Sequence, residues 1–231
     1  MRVMIDACVL YPTVMREVIL GCAKQGLFEA RWSPRILEEW ARATRKLGPG
    51  AEEFARGEID ALRAEWPKSE VVPTDGVQQR LLLPDPDDVH VLAAAISGSA
   101  DVIVTYNAAD FPKATLAEEG LQRLDPDQLL RGLFDAKPDI VRGAAENVLA
   151  VARQLSGEDW EMRALMKKAR LPSWRHAASN WWIVPFLSCY FCCEEGAPNA
   201  PCPKGRTSQA GYGVPMWTRT GSEPWTSRPP A

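Results

Sequence analysis

Two short runs limit what this chain can fold into more than any other feature. Val3-Met4-Ile5 and Val102-Ile103-Val104 are wholly apolar, and each stops at a polar residue, Asp6 and Thr105. A strand that is apolar on both faces has to be covered on both faces, which is the situation of a parallel sheet between two layers of helix. The stretches between and after these runs supply the helices. Apolar residues recur at helical spacing over residues 13–25 (Val14, Val18, Ile19, Cys22), and Gly26 supplies the stop. Residues 28–32 are predicted as a second strand. Ser33-Pro34 then opens a helix with an N-cap serine and a proline at its first position, carrying Ile36, Leu37, Trp40 and Leu47 inward.

After Gly48-Pro49-Gly50 a further helix is predicted over 51–65, with Phe54, Ile59 and Leu62 as its apolar members. A brief strand follows at 71–72, then a helix over 87–97 with an acidic first turn, a strand over 102–105 and a last strand over 121–124. Asp125-Pro126 begins another helix near 128–134, and helical patterns continue at 139–155 and 158–169. Strands alternating with helices indicate an α/β fold with a mostly parallel central sheet. The organisation that follows is a first domain over 1–135, a small helical extension over 136–171, and an irregular tail over 172–231 rich in Trp, Cys, Pro, Gly and Ser.

A chain of 231 residues that is 46% hydrophobic can bury a substantial core. Its formal charge of -3 argues against a generic polyanion binder, so nucleic acid has to be argued from a site. No signal-peptide pattern and no run of about 20 apolar residues is present, so the expectation is a soluble, cytoplasmic protein with no membrane partner. Cys8 and Cys22 lie in apolar segments and fit a reduced state. Cys189, Cys192, Cys193 and Cys202, with His176, do not pair into two CxxC knuckles and are taken as adventitious thiols rather than a zinc site.

The chemistry is concentrated in acids. Asp85-Pro86-Asp87-Asp88 crowds three carboxylates before an apolar helix, Asp6 ends the first strand, Glu38 and Glu39 lie in the helix after the second, and Asn107 and Asp110 follow the strand at 102–105. Ligands gather at the carboxyl ends of parallel strands. Like charges there are costly unless water, protons or a cation relieve them. An oxygen-rich set of this kind suits Mg²⁺ or Mn²⁺, and a phosphodiester is the natural substrate of such an ion. Taken singly, Asp87 fits helix-dipole stabilisation and Glu38 or Glu39 a solvated face. His90 is assigned to a helix face rather than to catalysis. Basic residues near Asp6 and Glu39 include Arg16, Arg35 and Arg42, which are candidates for holding substrate phosphates. Trp32 and Trp40 are assigned to the core.

The segments MIDACVLYP (4–12), WSPRILEEW (32–40), DPDDVHVLAAA (85–95) and DVIVTYNAADFP (101–112) together resemble PIN-domain nucleases, in particular VapC-type toxins and their close relatives, over residues 1 to about 135. The resemblance implies a three-layer α/β/α fold and a Mg²⁺- or Mn²⁺-dependent endoribonuclease, the toxin of a toxin-antitoxin pair. It also implies RNA as substrate, a cognate antitoxin as partner and a homodimer. Asp6, Glu39 and Asp88 then correspond to the family's catalytic and metal-binding acids. Glu39 fits better than Glu38 because it immediately precedes Trp40, and Asp85 assists. Asn107 stands where the family often has aspartate; either Asp110 substitutes or Asn107 offers its neutral carbonyl to the metal. Thr105 is implied to support these ligands by hydrogen bonding. The alternative is a catalytically weak PIN-like module that binds RNA or protein, which Asn107 favours. A haloacid-type phosphatase is disfavoured because Cys8 occupies the position where its second aspartate belongs.

Overall fold

The computed structural model describes residues 1–171. Its central strand β1 (Arg2–Ile5) pairs in parallel with β2 (Glu29–Arg31) on one side and β3 (Val102–Val104) on the other, and β4 (Gln122–Leu124) extends the sheet beyond β3. Val3, Met4 and Ile5 are fully buried, as a strand covered on both faces requires. Met4 stands opposite Arg31 and Ile103, and Ile5 opposite Val104. The Asp6 amide still donates to the Val104 carbonyl at 3.1 Å. Asp6 and Thr105 therefore leave the two central strands side by side.

The chain turns after β1 into a single-turn helix α1 (Ala7–Leu10) and then α2 (Thr13–Lys24). Helix α3 (Pro34–Ala43) begins as its sequence demands: the Ser33 hydroxyl accepts from the Ile36 amide at 3.2 Å, with Pro34 in the first turn. A 3-10 turn over Thr44–Leu47 follows, then α4 (Ala51–Glu65) and the short α5 (Asp75–Gln79). The acidic segment makes a second 3-10 turn, Pro86–Asp88, that runs into α6 (Val89–Ser97). Every residue of α6 from Val89 to Ala95 is buried, the mark of a helix enclosed by its neighbours. Helix α7 (Lys113–Glu118) precedes β4, and α8 (Pro126–Ala136) starts with a capping box between Asp125 and Gln128. An all-parallel four-stranded sheet flanked by helices is the three-layer α/β/α arrangement.

The last described helices are α9 (Pro138–Ser156) and α10 (Met162–Lys168). Helix α9 lies along α2 and against α8. The approach to α2 is close because it is made at small residues: a Cβ on Gly21 would stand 3.2 Å from that of Ala144. Among the described residues no helix is long and apolar enough to cross a membrane. The tail at 172–231, with His176 and the four cysteines discussed above, lies outside the described residues.

Two residues expected inside are exposed. Leu47 is 62% exposed because α3 ends at Ala43 and the tighter 3-10 turn, in which Thr44 Oγ1 donates to the Ala41 carbonyl, breaks the helical register. Phe54 is exposed because α4 packs through Ala55, Ile59 and Leu62, one position out of phase with it. The strand expected at 71–72 reduces to a single parallel bridge between Trp32 and Glu70. Trp32 and Trp40 are buried, as expected.

Candidate metal centre

The parallel register delivers Asp6 and Thr105 to one edge of the sheet, and a hydrogen bond joins them. Thr105 Oγ1 donates to Asp6 Oδ2 at 2.6 Å, and Cys8 Sγ donates to the same oxygen at 3.1 Å. Asp6 is 7% exposed, so its carboxylate is held in a nearly closed setting by these two donors. The Tyr106 amide donates to Cys8 Sγ at 3.3 Å, which ties the loop after β3 to the turn after β1. Burial first, and then the Asp6 charge, pushes the Cys8 thiol up to about 12, so it stays a protonated donor.

The acidic turn arrives from the other side. Asp85 caps it, accepting from the Asp87 amide at 2.9 Å. Asp87 itself points outward, with its carboxylate 3.6 Å from the Arg35 guanidinium. One carboxylate oxygen from each of Asp85, Asp88 and Asp110 lies within 4.8 Å of the other two. Asp88 bears the strain of this crowding. Burial, followed by the charges of Asp6, Asp85 and Asp110, raises its carboxyl from the ordinary 3.8 to about 6. Asn107 contributes no charge; its Nδ2 donates to Asp88 Oδ2 at 2.8 Å and its backbone amide to Thr105 Oγ1 at 2.9 Å. The structure thus groups Asp88 with Asp85 and Asp110, with Asp6 acting on it through its charge.

Glu39 is placed differently. It stands on the face of α3 turned toward α6, where its Oε1 lies 3.2 Å from Arg35 Nε and 2.8 Å from His90 Nε2. Partial burial alone would raise its carboxyl, but His90 and then Arg35 outweigh that and hold it below the ordinary value. Glu38 is spent elsewhere, in ion pairs with Arg56 and Arg42.

Of the three arginines expected to meet RNA, Arg35 alone lies beside these acids. Its Nη2 donates to the Asp87 carbonyl at 3.2 Å, and its side chain is about half exposed. Arg42 is exposed but paired with Glu38 at 2.7 Å. Arg16 is interior, 3% exposed: it donates to the Leu10 carbonyl and to Glu58 and Glu17, and its guanidinium lies 4.5 Å from the Trp40 ring centroid. A guanidinium so enclosed has no path to a phosphate, which corrects the sequence expectation. His90, expected on a helix face, is 2% exposed. The apolar residues on either side of it, Val89, Val91 and Leu92, are the sequence signal that could have placed it inside. Cys8, expected only as a reduced thiol in an apolar segment, touches Asp6.

Three carboxylates within reach of one another, one of them raised to about 6 by burial and then by its neighbours' charges, form the all-oxygen donor set that a hard dication satisfies. The residues present therefore fit Mg²⁺ or Mn²⁺. The PIN domain family model matches residues 2–109, which include Asp6, Glu39, Asp85, Asp88, Thr105 and Asn107; Asp110 follows directly. No curated protein and no solved structure matches the chain.

Proposed function

We propose that this chain, whose residues 2–109 form a PIN domain and so have a nuclease fold, is a Mg²⁺- or Mn²⁺-dependent endoribonuclease. The observation that carries the reading is the grouping of Asp85, Asp88 and Asp110, one carboxylate oxygen of each within 4.8 Å of the others, where burial and neighbouring charge raise the Asp88 carboxyl. Repulsion of this kind is tolerated where a cation offsets it. Asp85, Asp88 and Asp110 would hold the ion, with Asp6 and Glu39 adding charge from β1 and α3. A dication bound there supplies Lewis acidity toward a phosphate oxygen and lowers the pKa of water.

The chain's own residues prepare that chemistry. Thr105 and Cys8 fix the Asp6 carboxylate, and Asn107 orients Asp88. Arg35, half exposed beside the acids, takes an RNA phosphate and helps to hold the backbone in line. The toxin role, the cognate antitoxin, a homodimer and a cytoplasmic place of action belong to the same proposal and rest on the resemblance to VapC-type toxins.

The test is RNA cleavage by the full chain with Mg²⁺ or Mn²⁺ against EDTA, with D88N beside it. Metal-dependent cleavage that D88N abolishes is expected. Folded protein that cuts neither single-stranded nor structured RNA with either ion refutes the enzyme. Asn107 favours one second reading, a weakly catalytic RNA- or protein-binding module, because it brings a donor to Asp88 where an aspartate would bring charge. RNA bound equally by wild type and D88N without product would establish that reading for RNA.

A further inference from the structure

The buried histidine of α6 has no place in the chemistry above. His90 is 2% exposed, and its buried neighbours on α6 (Val89, Val91, Leu92 and the alanines 93–95) are all apolar. Its Nε2 is 2.8 Å from Glu39 Oε1, yet neither ring nitrogen makes an aligned hydrogen bond among the described residues. An interior position that only needed filling would be served better by leucine, since an unsatisfied buried polar group costs stability. What distinguishes this ring is where it stands. Helix α3, which bears Glu39, packs chiefly on α1 and α4, whereas α6 packs chiefly on α5, β1 and β3. Arg35 also touches Glu39, but from the same helix and half exposed. His90 reaches Glu39 from a different element, two residues after Asp88.

We infer that His90 is a positioning residue, which sets the Glu39 carboxylate relative to Asp88 and so tunes cation affinity. The inference rests on the metal-dependent reading of the site. Groups that orient ligands typically change metal affinity by roughly 10- to 100-fold when removed.

The two ring nitrogens can be tested separately, because a glutamine amide nitrogen reaches the place of Nε2 and an asparagine amide nitrogen that of Nδ1. Mn²⁺ is titrated into the full chain and free ion is followed by electron paramagnetic resonance, with a melting curve for each variant. H90Q should bind within about twofold of wild type and H90N about tenfold or more weakly. In an E39Q background H90N should add less than about twofold, because its partner is already gone. A structural role would move H90Q and H90N together and would persist in E39Q, and either result overturns the inference. So does an H90N variant that binds Mn²⁺ like wild type, or one that fails to fold where H90Q folds. Wild type that binds no Mn²⁺ removes the metal reading and this inference with it; wild type that binds while H90N is unaffected removes the inference alone.

Discussion

Replacing Asp88 by asparagine should stabilise the protein while destroying the proposed activity. The carboxyl is raised in the folded chain from 3.8 to about 6, with burial the largest cause and the charges of Asp6, Asp85 and Asp110 next. The sign follows from linkage. Below the unfolded value both states are protonated and the residue costs nothing; between the two values the folded state binds more protons than the unfolded one, so stability falls as pH rises, and above about 6 the whole cost is present. Converted in full, the shift would be worth roughly 3 kcal/mol. Much of the group faces solvent, and screening reduces the figure to about 1 kcal/mol. For a domain of this size that is about 2–4 °C in melting temperature. Asparagine keeps the shape, and its Oδ1 can still accept from Asn107. Thermal unfolding followed by circular dichroism in EDTA should show D88N melting above wild type at about pH 7, with the gap closing toward about pH 4.5. Added Mn²⁺ should raise wild type more than D88N, since binding to the folded state stabilises it. A D88N variant that melts at or below wild type at neutral pH, or that keeps an unchanged advantage in acid, would refute the account of this cluster.

Thr105→Val removes a hydroxyl that donates to the Asp6 carboxylate at 2.6 Å and accepts from the Asn107 amide. The loss should be about 2 kcal/mol, or roughly 4–8 °C in melting temperature, largely recovered by Thr105→Ser; a T105V melt within about 1 °C of wild type would contradict it. Gly21→Leu drives a side chain into Ala144, 3.2 Å from where its Cβ would stand, and should cost about 1–3 kcal/mol, read from the urea midpoint; no change would mean that α9 does not pack there. Burial, joined at Cys8 by the Asp6 charge, holds the Cys8 and Cys22 thiols at about 12. Because the thiolate is the reactive form, iodoacetamide at about pH 8 should leave both unmodified in the folded chain and label both in denaturant, as peptide mapping by mass spectrometry would show.

The central strands are legible because burial on both faces leaves no polar residue in Val3–Ile5 or Val102–Val104. The edge strands, Glu29-Ala30-Arg31 and Gln122-Arg123-Leu124, mix charge with apolar residues because each has only one strand neighbour, and they fall inside the strands expected at 28–32 and 121–124. Helices α1, α5 and α7 are too short for a hydrophobic period to develop, and none was anticipated. The acids of the site are visible as residues, but their grouping is not. The family resemblance points to Asp6, Glu39 and Asp88, with Asp85 assisting and Asp110 or Asn107 as alternatives; only the structure shows that the 3-10 turn and the loop after β3 bring Asp85 and Asp110 to Asp88. Arg16 shows the limit of reading charge as surface, since α2 buries it between Trp40 and Glu58.

The hydrogen bond between Thr105 and Asp6 spans 99 positions of sequence. Helices form from near neighbours, whereas closing so long a loop is slow. As the chain leaves the ribosome, Asp6, Glu39, Asp85 and Asp88 all emerge before Thr105 and Asp110 do. A growing or prematurely terminated chain therefore holds most of the acids but not the strand that seats the first of them. Whatever chemistry this edge performs waits until β3 docks beside β1 and Thr105 reaches Asp6.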